Sequence, residues 1–317
     1  MKEIGGYIEL DHYNGTMLHE DGIMLNCGRN ALEYVIKAKN IKKILMPKFM
    51  CDSCENVLQK NNVSIRYYSV GFDFKPEISD RASDEYLYIV NFYGQLSRAY
   101  LSDLGNNIIV DNAQAYFDEP IKGIDTIYTC RKFFGVADGA ILYTDKFIEV
   151  DTQDESFERM HFLLGRYERS ASEFYSEYVD NNHFFANEPI KKMSKLTYNL
   201  LHGIDYSNIK KKRTANFIFL HNRLEAMNKL DLVVPDGAFM YPFMVENGKE
   251  IRRELQKLKI YIPTLWSAVF SLCSEKDLEY YMAENILPLP VDQRYGLKDM
   301  EYIVDSIKNI CDYFEGN

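Results

Sequence analysis

Apolar and polar positions follow one rhythm over the first half of the chain and another over the rest. From residue 28 to about 145, short apolar runs take turns with amphipathic stretches. "IKKILMP", "VSIRYYSV", "YLYIVNFYG", "NIIVD", "IDTIYT" and "GAILYT" are brief and rich in β-branched or aromatic residues, which predicts strands. Between them, "NALEYVIKAKN" and "CENVLQKN" carry apolar residues at helical spacing and predict helices. The alternation predicts an α/β domain with a mainly parallel sheet flanked by helices.

Residues 150 to 210 change character. "FERMHFLLGRYERSASEFYSEYV" mixes charge and aromatic rings at helical spacing, as expected of a segment that crosses between domains or covers a face. From about residue 210 the predicted order is helix ("IKKKRTANFIFLHNRLEAMNKL"), strand ("YPFMVE"), helix ("KEIRRELQKLK"), strand ("IYIP") and further helices, the last being "LKDMEYIVDSIKNICDYF". That is a second, smaller α/β unit. The expected organisation is an N-terminal arm over 1–20, a large domain over 21–208 that includes the helical segment 150–208, and a small C-terminal domain over 209–317. No internal repeat or low-complexity segment interrupts it.

Composition narrows the function classes. With 317 residues and 46% hydrophobic residues, a sizeable core is expected. The net charge of −10 argues against general nucleic-acid binding, which needs a basic footprint. The basic run "IKKKR" at 209–213 is short and reads as a solvated helix face. The six cysteines are irregularly spaced, which argues against a disulfide scaffold. "CDSC" is a single CxxC with neither a second pair for a metal nor a thioredoxin-like flank. No apolar h-region opens the chain and no run of about 18 apolar residues follows, so a cytoplasmic protein with no membrane association is expected. There is no GxGxxG after a strand and no GxxxxGK[ST], which argues against a dinucleotide-binding or P-loop enzyme.

Ligands of open parallel sheets sit beyond the carboxyl ends of the strands, and three segments there carry candidate chemistry. In "NCGRNALEYVIKA", Gly28 makes a turn, Arg29 adds positive charge, and Asn30 with Glu33 has loose capping-box spacing. The helix start is either an ordinary cap or an anion site. In "NIIVDNAQA", Asp111 ends an apolar strand, as a helix cap or as a functional anion, and Gln114 lies one helical turn on. In "YTCRKFFGVADGA", Lys132 follows the strand "IDTIYT", with Thr129 three residues before it. An isolated lysine there would snorkel to solvent. The lone Trp266 reads as core or as cleft lining, with core favoured.

Taken together in this order, the three segments match what pyridoxal 5'-phosphate requires. Its phosphate takes helix N–H groups and hydroxyls, its ring nitrogen takes a carboxylate, and its aldehyde takes a lysine amine as a Schiff base.

The same segments resemble the DegT–StrS family of sugar aminotransferases, which are fold type I pyridoxal-phosphate enzymes. "CGRNAL" is similar to that family's phosphate turn and "NFYGQLSRAYL" to its Leu-Tyr-Gly-Gln-Pro segment. "IIVDNAQA" resembles its Glu-Asp-x-Ala-Gln segment, "YTCRKFFGVADGAILYTD" its lysine segment, and "ILPLPVDQRYGLKDMEYIVDSI" its Leu-Pro-Leu-Pro stretch and final helix. The resemblance implies that Lys132 forms the Schiff base and shuttles the proton, and that Asp111 pairs with the pyridine nitrogen. It implies that Gln114 contacts the ring hydroxyl or the substrate, that Gly28, Arg29, Asn30 and Thr129 hold the phosphate, and that Tyr93 lies near the substrate. Where the family stacks an aromatic ring on the cofactor, four residues after a strand-ending proline, this chain has Cys51 after Pro47, with Phe49 the nearest ring. "ADGA" stands in place of the usual Glu-Gly-Gly.

The implied function is amino transfer from glutamate or glutamine to a keto group of a nucleotide-linked sugar, by a homodimer. The alternatives are other pyridoxal-phosphate chemistry on a keto sugar, such as dehydration, and a non-catalytic ligand-binding protein on the same fold.

Overall fold

The computed structural model describes residues 4–315. Ten strands form two sheets: β1 (Ile23–Leu25), β2 (Lys43–Pro47), β3 (Ser64–Val70), β4 (Pro76–Glu77), β5 (Tyr86–Val90), β6 (Ile108–Asp111), β7 (Asp125–Thr129), β8 (Ala140–Tyr143), β9 (Met240–Met244) and β10 (Ile286–Pro290). The first eight make one sheet in the order β1-β8-β7-β6-β5-β2-β3-β4. Pairings β2–β3, β2–β5, β5–β6 and β6–β7 are parallel. β8 runs antiparallel between β7 and β1, and β4 antiparallel on β3. The predicted α/β class with a mainly parallel sheet is thus the observed one.

The central strands form because their residues are apolar on both faces: Ile44 to Met46, Leu87 to Val90 and Ile108 to Val110 are all buried. Helices cover the sheet, as buried parallel strands require. They are α1 (Gly28–Lys39), α2 (Asp52–Lys60), α3 (Arg98–Asp103), α4 (His161–Glu168), α5 (Tyr175–Phe184) and α6 (Lys195–Leu201). α1 ends where Asn40 turns left-handed at φ 52° and returns its N–H to the carbonyls of Ile36 and Lys37.

The C-terminal part contains α7 (Tyr206–Leu224), α8 (Gly248–Lys257), α9 (Val269–Leu272), α10 (Leu278–Asn285) and α11 (Leu297–Glu315) around the antiparallel pair β9–β10. One continuous apolar cluster runs from Met17 to Cys311 and joins this part to the main sheet. Among the described residues no helix is long and apolar enough to cross a membrane, and none of the six cysteines is in a disulfide.

Several expectations need correction. "IYIP" (260–263) is not a strand, although Ile260 and Ile262 are buried and Tyr261 is exposed. It alternates like a strand, but β9 finds its partner in β10, which the prolines of "ILPLP" disguised. Pro288 lies opposite Pro242 in that ladder. The capping box at Asn30 and Glu33 does not form. Cys27 is the N-cap, and Asn30 lies inside α1. Glu33 instead pairs with Lys37 at 2.7 Å and Lys60 at 3.3 Å. "NAQA" is a turn and not a helix. The "IKKKR" run is not wholly solvated, because Arg213 is 1% exposed.

Candidate functional site at the carboxyl ends of the strands

β1, β2, β5, β6 and β7 all point their carboxyl ends the same way, so the segments that follow them collect along one rim of the sheet. Asp111 is the last residue of β6, paired in register with Val90 of β5 and Ile127 of β7. Its Oδ1 accepts from the Ala113 N–H at 2.8 Å, which makes the short turn of "DNA". Its Oδ2 accepts from the Tyr88 hydroxyl at 2.7 Å. The carboxylate is therefore fixed by two donors and half-buried at the strand end.

Lys132 ends a single helical turn, Cys130–Lys132, directly after β7. That turn is anchored by the Cys130 N–H to the Gly139 carbonyl at 3.1 Å, and Gly139 in turn donates to the Asn26 carbonyl at 2.7 Å. Gly139 sits at φ 113°, and a Cβ there would meet Cys130 and Thr197 at 3.1–3.2 Å, so only glycine closes this turn. The Lys132 side chain is exposed, with Nζ 5.6 Å from the centre of the Phe239 ring. It forms no hydrogen bond or ion pair to a described residue, so the amine is not committed to a carboxylate.

The start of α1 and the end of β7 meet. A Cβ on Gly28 would lie 2.7 Å from Thr129 Cγ2, so the glycine is what permits the contact. Thr129 Oγ1 is buried without a partner. The first turn of α1 holds no acidic residue and no side-chain cap. Helix N–H groups with no carboxylate or amide cap, near only the Cys27 thiol, and a buried unpaired hydroxyl brought close by Gly28 form a donor-rich cradle suited to an anion such as phosphate.

Arg29 and Arg131 add positive charge beside Cys27. Both hold α5: Arg29 Nη1 reaches the Asn182 carbonyl at 3.4 Å, and Arg131 bonds the Asn182 side chain and stacks on Phe185 at 4.8 Å. The Asn30 side chain turns away from the cradle and donates to Asn26 Oδ1 at 3.0 Å and the Pro189 carbonyl at 2.7 Å.

Cys51 and Phe49 part company. Phe49 is fully buried, 4.4 Å from the Trp266 ring and 5.4 Å from Phe92. Cys51 is the N-cap of α2 and an exposed residue. Both Lys132 and Asp111 act on its charge. Cys51, Lys132 and Asp111 are therefore neighbours along the same rim, whereas Phe49 is buried in the core. Trp266 is half-buried against the same aromatic cluster.

Gln114 and Tyr93 also turn inward from this rim. With no helix at 112–115, Gln114 does not stack one turn above Asp111. It is 3% exposed, and its Oε1 accepts from the Tyr93 N–H at 2.9 Å. That bond holds Tyr93 in the left-handed region at φ 54°. The Tyr93 ring is completely buried among Phe74 and Trp266, with its hydroxyl unpartnered and its ionisation strongly suppressed by burial.

Sequence reasoning missed two groups. Arg213 of α7 is buried behind the lysine turn and donates to the carbonyls of Phe133 (3.2 Å) and Ala238 (2.9 Å) and to Gln293 Oε1 (2.7 Å). Phe239, whose ring lies under the Lys132 amine, enters from the segment before β9. A buried arginine leaves one trace in sequence, its place among the apolar positions of α7 beside Asn216, Phe217 and Leu220, all buried.

The fold is that of fold type I aminotransferases, with a mostly parallel sheet flanked by helices. No family model and no curated protein matches the sequence. Solved structures do match. The sugar aminotransferase CalS13 from Micromonospora echinospora superposes with a TM-score of 0.64 at 12% identity, over 90% of this chain and 86% of that one. A DegT DnrJ EryC1 StrS aminotransferase from Brucella abortus gives 0.62 at 13% identity, over 91% and 85%. Spr1654 from Streptococcus pneumoniae, in its PLP form, gives 0.64 at 14% identity, over 92% and 87%. At these identities the likeness is one of fold.

Proposed function

We propose that this chain is a pyridoxal-phosphate-dependent aminotransferase that moves an amino group from glutamate or glutamine to a keto group of a nucleotide-linked sugar. The observation that carries the reading is the cradle between Gly28 and Thr129, with its unpaired buried hydroxyl, on the same sheet rim as an uncommitted lysine and a fixed carboxylate. Fold neighbours named as sugar aminotransferases, and one solved in PLP and PMP forms, support the cofactor and the substrate class.

In this reading the α1 N–H groups and the Thr129 hydroxyl would hold the phosphate, Asp111 would pair with the ring nitrogen, and the Lys132 amine would hold the aldehyde and move the substrate proton. The cofactor, when bound, supplies an electron sink. Arg29 sets the potential at the phosphate, and Cys51 covers one side of the ring. Asn30 contributes its backbone rather than its amide. Gln114 and Tyr93 act from behind, by shaping the wall. Residues 21–208 would form the cofactor-binding domain and 209–317 the smaller domain that closes the cleft. We expect a cytoplasmic homodimer.

The test is a visible absorption spectrum of the protein with pyridoxal phosphate, beside Lys132→Ala. A band that survives dialysis in the parent and is lost in the variant supports the assignment. Absence of any band in the parent would leave the non-catalytic ligand-binding reading.

A further inference from the structure

The CxxC at the start of α2 reads differently in space than in sequence. Its flanks gave no reason to expect redox chemistry, yet it occupies the positions that make such chemistry possible. Cys51 is the N-cap of a nine-residue helix and Cys54 is its third residue. The two thiols are near enough to hydrogen-bond each other. Ideal helical neighbours three apart hold their Cβ atoms roughly 5–6 Å apart and a disulfide needs roughly 3.5–4.5 Å, so Cys51, which lies outside the helix with an extended backbone, is the residue that must move to close the bond. The first thiol is exposed and the second is buried, which separates the roles of attack and resolution.

Each thiol also has its own neighbours. Cys51 Sγ contacts the Ser53 hydroxyl at 2.8 Å. Cys54 Sγ lies 3.7 Å from the Tyr88 hydroxyl, which donates to Asp111 at 2.7 Å. We propose that Cys51 and Cys54 form a reversible thiol–disulfide pair at this rim of the sheet, with Cys51 as the attacking thiol and Cys54 as the resolving one.

The ionisation of the two groups agrees with that division. The hydrogen bond from Cys54 draws the Cys51 thiol down to about 6 against the opposing effect of burial, and Lys132 adds to the fall. Cys54 is pushed well up by the same bond and by burial. The α2 N-terminus favours a thiolate at its cap.

With oxidised glutathione as the oxidant, the Cys51 thiolate attacks one glutathione sulfur. A Cys51–glutathione disulfide forms, and one glutathione thiolate leaves. Cys54 then loses its proton and attacks the Cys51 sulfur, and the second glutathione leaves as thiolate. Two protein thiols have been oxidised and one glutathione disulfide reduced. Closure removes an anion from beside Lys132 and takes the S–H away from Tyr88, so the Tyr88–Asp111 bond is the element that registers the change.

The experiment uses the full chain without cofactor, oxidised glutathione as probe, and mass analysis of the tryptic peptide 49–60, which contains no cysteine other than these two. The expected result is a peptide lighter by two hydrogens, without glutathione, restored by dithiothreitol. Cys54→Ser should retain glutathione on Cys51, and Cys51→Ser should leave Cys54 unmodified. The half-point of Cys51 alkylation should fall near pH 6. A parent peptide that keeps glutathione, or that stays fully reduced while the protein melts normally, overturns the proposal. Because no step uses pyridoxal phosphate, failure of the aminotransferase reading and failure of this one are separate results.

Discussion

The guanidinium of Arg213 donates to the Phe133 carbonyl at 3.2 Å, so a residue of α7 is tied to the position that follows Lys132. The same group holds Ala238 and Gln293 and lies 4.6 Å over the Phe133 ring. Burial pulls its pKa down to about 10 while the Asp292 carboxylate opposes the fall, so the group keeps its charge at neutral pH.

Arg213→Met should therefore leave several buried acceptors without donors. The expected loss is about 3–5 kcal/mol, since each orphaned buried group costs about 1–3 kcal/mol. Thermal melting of the cofactor-free chain checks this. A melting temperature within a degree or so of the parent would mean the cluster repacks with its own donors.

Thr129→Val separates folding from binding. The Thr129 hydroxyl is buried and unpartnered in the chain alone, so removing it should leave stability unchanged or raise it by up to about 1 kcal/mol. Pyridoxal phosphate affinity should fall about tenfold or more, the worth of one hydrogen bond to a charged group. Titration of the visible band measures the second effect. A variant that binds as the parent does removes Thr129 from the phosphate cradle.

Asp118 makes stability depend on pH. Burial raises its carboxyl to about 6, with Asp236 adding to the rise and Asn91, Lys210 and Arg98 opposing it. The folded state thus holds the proton more tightly than the unfolded one. Its contribution is favourable at low pH and is lost as pH rises from about 4 through 6, by roughly 1–3 kcal/mol. Asp118→Asn can still accept from Asn91, which now donates at 3.0 Å. It should melt higher than the parent at pH 8 and close to it at pH 4. Equal shifts at both pH values would point to packing instead.

Asp138 receives the Ser194 N–H and hydroxyl, each at 2.7 Å, and the Thr197 hydroxyl, and so starts α6 from the middle of "VADGA". It is fully buried. Asp138→Ala should cost about 3 kcal/mol or more, and denaturant unfolding would report it. Proteolysis should then open first near residues 190–200.

The parallel strands were legible because burial on both faces leaves uninterrupted apolar runs, as in "YLYIV" and "NIIVD". β1 was not, because three residues carry no periodicity. "IYIP" misled, because alternation reports burial on one side and does not supply a partner strand. In the candidate site, Asp111, Thr129 and Lys132 stand out as polar residues at strand ends, where local sequence and topology agree. Gln114 and Tyr93 are equally close in sequence to that rim, but a turn in place of a helix and a left-handed residue send both inward. Arg213 and Phe239 reach the lysine turn from the C-terminal part, and contacts over that distance in sequence leave no local pattern.

The antiparallel β8 has a consequence for the order in which the molecule assembles. β1 pairs in the sheet only with β8, Ile23 opposite Leu142. The helix that begins at Gly28 packs on both β7 and β8, so its seat against Thr129 is complete only when these two strands have formed. A nascent chain emerging from the ribosome exposes Gly28 long before Thr129, the other half of the cradle, has been made. Closing so wide a loop is slow. Until then the turn at Gly28 has no wall.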